Sequence, residues 1–382
     1  MLAKRPPMGW NSWNTFAKNI NEKLIFEMAD AMVDLGYKDL GYEYLVIDDC
    51  WSEKERDENG RLVPDKEKFP SGMKAVSDYV HSKGLKFGMY SCAGVRTCAD
   101  YPSSYGYEFL DAKTFAEWGV DFLKYDFCHF PRTADCKQAY QAMSVALKHS
   151  GREILFSACN WGVKEPWNWM RSIGAHMYRS TRDIFDNFES YKNIAVSQIE
   201  NLCASAPGCY NDPDMLVVGM YGNGHVGLGG CTDEEYRTHF ALWCMFGVPL
   251  IIGGDVRKID GFCKELLQNK ELIAINQDEE ARPPHLVTRD DDMRCQPNDD
   301  RVYNFIKHLS NNEYALGFFN LNEEERLHTI YLYDIGIPKN SGCGLEITDV
   351  YTGEKLGIFR DRVSVRLSAH DSRIYKAKVI DL

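Results

Sequence analysis

The chain has 382 residues, enough for one large domain and a smaller one, and its 44% hydrophobic and 26% charged residues are typical of a globular protein. The formal net charge of -12 argues against nucleic acid or an anionic membrane surface as a partner, because both favour basic protein surfaces. The sequence contains no apolar run long enough to predict a membrane-spanning helix, and its first residues lack the apolar core of a signal peptide.

The 13 cysteines are an odd number, spread along the chain without a C-x-x-C pair. This spacing is typical neither of a zinc site nor of a small disulfide-stabilised scaffold. No N-x-S/T glycosylation signal occurs either. We therefore expect mostly free thiols and a cytoplasmic protein, with secretion after removal of a signal sequence left open. A homo-oligomer is also left open.

Strand-like segments alternate with helix-like segments from residue 7 to about residue 280. The helix-like segments carry start signals: Asn21 is a good N-cap, and Thr232 with Glu235 has the spacing of a capping box. Eight such units predict a (β/α)8 barrel, with a doubly wound open sheet as the alternative. The eight predicted strand segments cover residues 7–13, 42–49, 85–91, 120–126, 153–160, 175–181, 207–216 and 248–255.

The pattern changes from residue 278, where two prolines and a dense run of charges predict a linker. Short alternating segments separated by turn residues follow, which predicts an antiparallel β-sandwich. These segments cover residues 301–309, 313–321, 328–335, 345–353, 363–370 and 372–380. We therefore predict a catalytic (β/α)8 barrel over residues 1–285 and a β-sandwich over residues 286–382.

The carboxyl ends of the strands build the active site of a (β/α)8 barrel. Here the residues predicted at those ends are mostly polar or acidic, although a strand that simply leads into a loop does not need acidic residues at its end. They are Trp13, Asp48, Asp49, Tyr90, Asp126, Asn160, Arg179, Asp183, Asp212, Asp214 and Asp255.

Lys124 and Asp126 lie two residues apart in a strand-like segment, so their side chains share one face. Hydrolysis of a glycoside requires two carboxylates that flank the bond. Asp126 suits the ionised nucleophile because Lys124 would favour its charged form, and Asp183 suits the acid/base, whose pKa must be higher. A structural ion pair between Lys124 and Asp126 is the alternative.

Asp48 and Asp49 are adjacent, so at most one of them points inward unless the strand has already ended. A cluster of Asp48, Asp212 and Asp214 around a hard cation is conceivable, but no His or Glu accompanies these carboxylates at ligand spacing. We expect no metal and no cofactor.

Four tryptophans lie at or just past predicted strand ends, where their faces could stack on a sugar ring or pack at the rim: Trp10, Trp13, Trp51 and Trp161. The segment GNGHVG over residues 222–227 matches G-x-G-x-x-G, but the next predicted helix starts only at Thr232. A dinucleotide site needs these glycines to open the helix directly, so we expect a flexible rim loop.

Several motifs together resemble glycoside hydrolase family 27, which holds α-galactosidases, α-N-acetylgalactosaminidases and some β-L-arabinopyranosidases. The resemblance runs from about Arg5 to Asp278, and the predicted sandwich is similar in kind to the family's C-terminal domain. It implies a (β/α)8 barrel plus β-sandwich and a retaining mechanism without a cofactor. The motifs are MGWNSW, YLVIDDCW, FGMYS, TCADYPSSYGYEFLDAKTFAEWGVDFLKYDFC, RSTRDI, YNDPDML and IAINQD.

By this resemblance, Asp126 is the nucleophile and Asp183 the acid/base. Cys98 and Cys128 match a pair of cysteines that is disulfide-bonded in the family. The other matched residues bind or support the sugar: Asp48 and Asp49 at the 4- and 6-hydroxyls, Lys124 at the 3- and 4-hydroxyls, Arg179 near the 2-hydroxyl, Trp13 along the ring, and Tyr90 and Asp214 in support.

Asn160 and Val163 depart from the family's pattern at the two positions that the resemblance assigns to the 2-substituent of the sugar. The resemblance implies release of terminal α-D-galactose, so the expected partner is a small sugar carrying a terminal α-galactoside. The departures leave α-N-acetylgalactosaminidase, a dual enzyme or β-L-arabinopyranosidase as alternatives. Two other classes are a Schiff-base lyase that uses Lys124 and a catalytically silent sugar-binding protein.

Overall fold

A computed structural model describes residues 2–287 and 302–382, so residues 288–301 of the predicted linker and of the first sandwich segment lie outside it. The chain divides into two compact units. The first comprises Met1–Ser190, Pro207–Gly230 and Val248–Ile259, and the second comprises Tyr191–Ala206, Cys231–Gly247 and Asp260–Leu382. The boundary predicted between residues 285 and 286 stays a prediction. None of the helices in the described ranges has the length and apolarity that a membrane span requires.

Eight parallel strands form one sheet in the first unit, in the order β7-β6-β5-β4-β3-β2-β1-β8. Leu216, shortly after β7, bridges in parallel to Ile252 of β8 and joins the two ends of the sheet. Each strand overlaps one predicted segment, so the (β/α)8 barrel is confirmed. The strands are β1 Met8–Asn11, β2 Tyr44–Val46, β3 Lys86–Cys92, β4 Phe122–Asp126, β5 Leu155–Cys159, β6 Met177–Arg179, β7 Tyr210–Asp212 and β8 Leu250–Ile252.

The helices begin where the sequence places N-cap residues. The Asn21 side chain accepts a hydrogen bond from the N–H of Leu24 at 2.9 Å, and Thr232 forms the predicted capping box with Glu235. The helices are α1 Trp13–Phe16, α2 Glu22–Asp34, α3 Gly72–Ser82, α4 Glu108–Trp118, α5 Cys136–Lys148, α6 Met170–Ile173, α7 Phe188–Gln198, α8 Asp233–Phe246, α9 Gly261–Leu267 and α10 Lys270–Asn276.

The register of the barrel strands brings chemically reactive side chains to one face. Lys124 of β4 pairs with Tyr90 of β3, and Cys159 of β5 pairs with Arg179 of β6. Side chains alternate along a strand, so Asp126 faces the same way as Lys124. Neighbouring strands therefore present a row of polar groups at the carboxyl end of the sheet.

The second unit contains two antiparallel sheets, one of six strands in the order β14-β13-β16-β11-β10-β9 and one formed by β12 and β15. The antiparallel β-sandwich is thus confirmed. One strand was predicted over residues 345–353. The observed strand β13 instead ends at Asp349, and after a turn the chain forms an additional strand, β14. The strands are β9 His285–Leu286, β10 Tyr303–Leu309, β11 Glu313–Phe319, β12 Arg326–Tyr331, β13 Cys343–Asp349, β14 Lys355–Phe359, β15 Arg362–Leu367 and β16 Ser372–Asp381.

Candidate active site

Asp126 is the last residue of β4 and is only 6% exposed. The Tyr90 hydroxyl donates a hydrogen bond to Asp126 Oδ2 at 2.9 Å, and the N–H of Phe127 donates to Oδ1 at 2.8 Å. Burial raises the pKa of Asp126, while the charge of Lys124 and these hydrogen bonds lower it. Lys124 therefore acts in the predicted direction, but burial outweighs it and the pKa lies above its ordinary value.

Lys124 forms its ion pair with Asp48 and not with Asp126: Lys124 Nζ lies 2.8 Å from Asp48 Oδ2. Asn11 Nδ2 donates to the same oxygen at 2.8 Å. Burial opposes the charge of Lys124, but Asp48 and the other acidic groups around it hold the pKa of Lys124 above its ordinary range. A Schiff-base lysine must lose its proton to attack a carbonyl group, so this environment disfavours the lyase alternative.

Asp48 and Asp49 both line the cavity at the end of the barrel. Strand β2 ends at Val46, two residues before Asp48, so the alternation that would point them apart no longer applies. The two Asp49 oxygens accept hydrogen bonds from the N–H groups of Cys50 at 2.7 Å and Ala99 at 3.0 Å. Burial nevertheless raises the pKa of Asp49 to about 6.

Arg179 of β6 joins two carboxylates. Its Nη2 lies 2.6 Å from Asp183 Oδ1 and 2.8 Å from Asp214 Oδ2. Arg179 and Asp214 are buried, whereas the Asp183 side chain is 62% exposed. Burial opposes ionisation of Asp183, but the charge and hydrogen bond of Arg179 outweigh it and lower the pKa of Asp183. The pKa of Asp183 was predicted to be higher than that of Asp126. In the substrate-free protein it is lower.

Asp214 differs from Asp183 because it is buried. Burial raises the pKa of Asp214 to about 7, although Arg179 opposes the shift. Asp214 Oδ1 accepts a hydrogen bond from the N–H of Met215 at 2.8 Å, and Oδ2 accepts one from the N–H of Ile184 at 2.8 Å. The two carboxylates around Arg179 thus retain one proton between them into the neutral range.

Replacement of Asp214 by Asn is expected to shift the alkaline limb of the kcat/KM profile to lower pH, by more than roughly one unit. Arg179 would then pair with Asp183 alone, and without the neighbouring negative charge the pKa of Asp183 falls. Asn is tolerated at this position, whose φ is 93°. The test is a pH profile with an α-galactoside of a nitrophenol; an unchanged alkaline limb would argue against coupling of the two carboxylates.

Two of the four tryptophans predicted near the rim line the cavity, namely Trp13 and Trp161. The other two are buried and hold the barrel together. Trp10 Nε1 donates to the carbonyl of Gly254 at 2.8 Å, and Trp51 Nε1 donates to the carbonyl of Tyr90 at 2.9 Å. Trp13 and Trp161 are thus the two that could stack on a sugar, and Trp10 and Trp51 pack, the alternative left open for them.

The end of β5 and the segment after it contribute one predicted and one unpredicted residue to the cavity, and two other predicted residues do not line it. Cys159 and Trp161 line it, whereas Asn160 and Val163 do not. Asn160 is fully buried, and its Nδ2 donates to the carbonyl of Val163 at 2.5 Å; Val163 is 39% exposed. Asn160 therefore closes a local turn, and this structure gives no contact through which Asn160 and Val163 would select the 2-substituent.

The sequence did not predict that Cys159 lines the cavity. The pairing of β5 with its neighbouring strands shows why it does. Cys159 lies two residues after Ser157, which pairs with Lys124, and Cys159 itself pairs with Arg179. Its Sγ lies 4.0 Å from Arg179 Nη1. The cavity also contains four residues that no motif singled out as ligands: Asn14, Cys98, Met215 and Val226.

The glycine-containing loop over residues 222–227 is fixed to α1, although it was predicted to be flexible. The N–H groups of His225 and Val226 donate to the carbonyls of Thr15 and Asn14, at 3.2 and 3.1 Å. The His225 ring packs edge-on against Trp13 at a centroid distance of 5.3 Å. The loop thus supports one wall of the cavity, and the next helix begins only at Asp233.

Cys98 and Cys128 are joined by a disulfide, as the resemblance to the family implied. Asp48, Asp212 and Asp214 form no compact group of potential metal ligands within residues 2–287 and 302–382. Asp48 is paired with Lys124 and Asp214 with Arg179, so protein cations neutralise the two carboxylates that were considered for a hard cation.

A (β/α)8 barrel with one fixed and one exposed carboxylate and two tryptophans lining the same cavity is the arrangement expected of a glycoside hydrolase. The model of the family described as Alpha galactosidase A matches residues 5–278, and that of the Alpha galactosidase C-terminal beta sandwich domain matches residues 300–377. The chain therefore belongs to glycoside hydrolase family 27.

Individual proteins agree with this assignment. The α-galactosidase of Cyamopsis tetragonoloba is 42% identical over 375 residues, which cover 98% of this chain and 86% of that protein. The structure of α-galactosidase I from Mortierella vinacea has 35% identity and a TM-score of 0.90, covering 98% of this chain and 97% of that chain. The structure of the Saccharomyces cerevisiae α-galactosidase with raffinose has 28% identity and a TM-score of 0.89, covering 99% and 98%.

Proposed function

We propose that this protein is an exo-acting α-galactosidase that releases terminal α-D-galactose with retention of configuration. The observation that carries the proposal is the placement of buried Asp126 and exposed Asp183 in one cavity with Lys124 and Asp48. The galactoside substrate is supported by the relatives, which are named α-galactosidases and one of which was solved with raffinose.

In the first step, an Asp126 oxygen attacks the anomeric carbon while the bond from that carbon to the departing oxygen breaks. Asp183 gives its proton to the departing oxygen, and a galactosyl ester of Asp126 remains. In the second step, Asp183 takes a proton from water, and the water oxygen attacks the same carbon. The ester bond breaks, galactose leaves in its original configuration, and both carboxyl groups regain their starting states.

The environment of Asp126 favours the first step. Attack converts a buried carboxylate into a neutral ester, so the burial that raises the pKa of Asp126 also favours loss of its charge on reaction. The Tyr90 hydroxyl holds the carboxylate at 2.9 Å and limits its rotation. The cavity thus combines a desolvated nucleophile with a fixed direction of attack.

Asp183 must carry a proton when the substrate is bound, although Arg179 lowers its pKa in the substrate-free protein. Its side chain is 62% exposed, so an aglycone seated above the sugar would cover it. Removal of water penalises the charged form and raises the pKa. Substrate binding itself therefore helps to set the protonation state that the first step requires.

Initial rates on three nitrophenyl glycosides test the proposal: the α-D-galactopyranoside, the α-N-acetyl-D-galactosaminide and the β-L-arabinopyranoside. We expect the galactoside to be cleaved fastest, because the relatives that match nearly the whole chain are named α-galactosidases. A faster acetamido sugar would replace the proposed substrate while leaving the two-carboxylate mechanism in place. Cleavage of none of the three would contradict the proposed function.

A further inference from the structure

The disulfide between Cys98 and Cys128 forms the wall of the cavity beside Asp126. Cys98 Sγ lies 3.8 Å from Asp126 Oδ2, the oxygen to which Tyr90 donates at 2.9 Å. The Tyr90 hydroxyl also lies 4.0 Å from Cys128 Sγ. Two sulfur atoms and a carboxylate oxygen thus lie within 4.8 Å of one another, and they form the only such group of three in the described ranges.

Two cysteine thiolates and a carboxylate oxygen are a donor set that zinc accepts. Tetrahedral zinc, with bonds of about 2.3 Å to sulfur and about 2.0 Å to oxygen, places such donors roughly 3.5 to 3.8 Å apart. The observed separation of 3.8 Å between Cys98 Sγ and Asp126 Oδ2 is slightly longer than the roughly 3.5 Å expected between a sulfur and an oxygen ligand of one zinc ion. While the disulfide bond is intact, neither sulfur atom is a thiolate, so neither can bind a metal.

We propose that reduction of the Cys98–Cys128 disulfide opens an inhibitory zinc site formed by Cys98, Cys128 and Asp126. A zinc ion there engages the carboxylate oxygen that attacks the sugar and occupies the space beside it, and a water molecule from the cavity completes its coordination. The blocking effect rests on the proposed role of Asp126, whereas binding of the metal does not.

Each chemical step is balanced with a dithiol as the reductant. A thiolate of the dithiol attacks Cys98 Sγ, which belongs to an exposed residue, and Cys128 leaves as a thiolate. The second thiol of the reductant then releases Cys98 and forms a disulfide with the first. The reductant loses two electrons and two protons, and the protein gains two thiols. Zinc binding releases the two thiol protons.

The test compares the oxidised chain with the chain reduced by dithiothreitol and desalted without oxygen. Both are titrated with zinc chloride, and bound zinc is counted with a chromogenic chelator while hydrolysis of nitrophenyl α-galactoside is followed. The reduced chain is expected to bind one more zinc per chain and to lose at least tenfold in rate, with recovery on adding EDTA. Magnesium chloride is the matched control, because Mg²⁺ prefers oxygen ligands and should not inhibit.

Variants separate this site from the other thiols. Cys98→Ser should raise the zinc concentration needed for half-inhibition at least tenfold, whereas Cys203→Ser, which removes an exposed free thiol, should leave it unchanged. Asp126→Asn is inactive under the proposed function, so zinc counting is its readout, and the reduced variant should lose the additional zinc.

Equal zinc sensitivity of the oxidised and reduced chains would overturn the proposal, as would full sensitivity in Cys98→Ser. Loss of activity on reduction before any zinc is added would also overturn it, because the dithiol form would then not be the competent enzyme that zinc blocks. If the oxidised chain cleaves no galactoside, the proposed function fails, and the zinc count still decides whether the metal site exists.

Discussion

Replacement of Asp126 by Ala should lower the rate of α-galactoside hydrolysis by roughly 10⁴-fold or more, because the covalent intermediate can no longer form. The substitution removes an oxygen pair that Tyr90 and the N–H of Phe127 bind, and it keeps a Cβ at a position that pairs with Cys92 of β3 through the backbone. The measurements are kcat/KM on a nitrophenyl α-galactoside and circular dichroism as a check of folding. Asp78→Ala, in an exposed ion pair on α3, is the matched control and should keep its rate.

Added azide or formate distinguishes loss of a nucleophile from simple damage to the site. A small anion that enters the space left in Asp126→Ala attacks the sugar directly, so activity should return and the glycosyl azide should have inverted configuration. Near-normal hydrolysis by the variant without any anion would exclude Asp126 as the nucleophile.

Replacement of Asp183 by Asn should have an effect that depends on the leaving group. Hydrolysis of raffinose should fall by about 10²- to 10⁴-fold, because a sugar alkoxide cannot depart without a proton. A dinitrophenyl α-galactoside needs no such help, so its first step should survive. The ester on Asp126 should then accumulate, seen as a burst of phenolate and a lowered KM.

The two substrates act as internal controls for each other, because a misfolded variant would lose both activities together. Azide should accelerate turnover of the dinitrophenyl substrate by Asp183→Asn and give a product of retained configuration, since it attacks the ester that Asp126 carries. Equal losses on raffinose and on the activated substrate would argue against Asp183 as the acid.

The architecture was predictable from the sequence because strand-like and helix-like segments alternate eight times, and several barrel strands are short runs that end in a polar residue. In β4, for example, the run ends at Asp126. The sandwich was predictable in kind but not in every strand. The additional strand β14 has the sequence KLGIF and is mostly exposed, so it lacks the alternation of buried and exposed residues that would have revealed it.

The candidate site was predicted less completely than the fold. Motif resemblance placed Asp48, Asp126 and Arg179 in the cavity, where they lie, and it assigned recognition of the 2-substituent to Asn160 and Val163, which do not line it. Only strand register shows that Cys159 shares a face with its neighbour Arg179, and register between strands is not readable from one sequence.

The charge states of the site were not predictable for a related reason. A shift in pKa depends on burial as well as on neighbouring charges. The sequence allowed some neighbouring charges to be predicted, but it does not show how deeply a side chain is buried. Lys124 was correctly expected to lower the pKa of Asp126, but the greater effect of burial became visible only in the structure.

Asp126 is fixed in a strand, whereas Asp183 lies in a stretch without regular secondary structure, beside the exposed residues Arg182 and Phe185. Under the proposed function, the residue that attacks the terminal sugar and the residue that meets the departing group therefore lie in differently built parts of the chain. We expect substitutions at residues 182 and 185, which are exposed beside the proposed acid/base, to change how well an acceptor sugar competes with water for the galactosyl ester. The same barrel would then serve as a starting point for making galactosides as well as for breaking them.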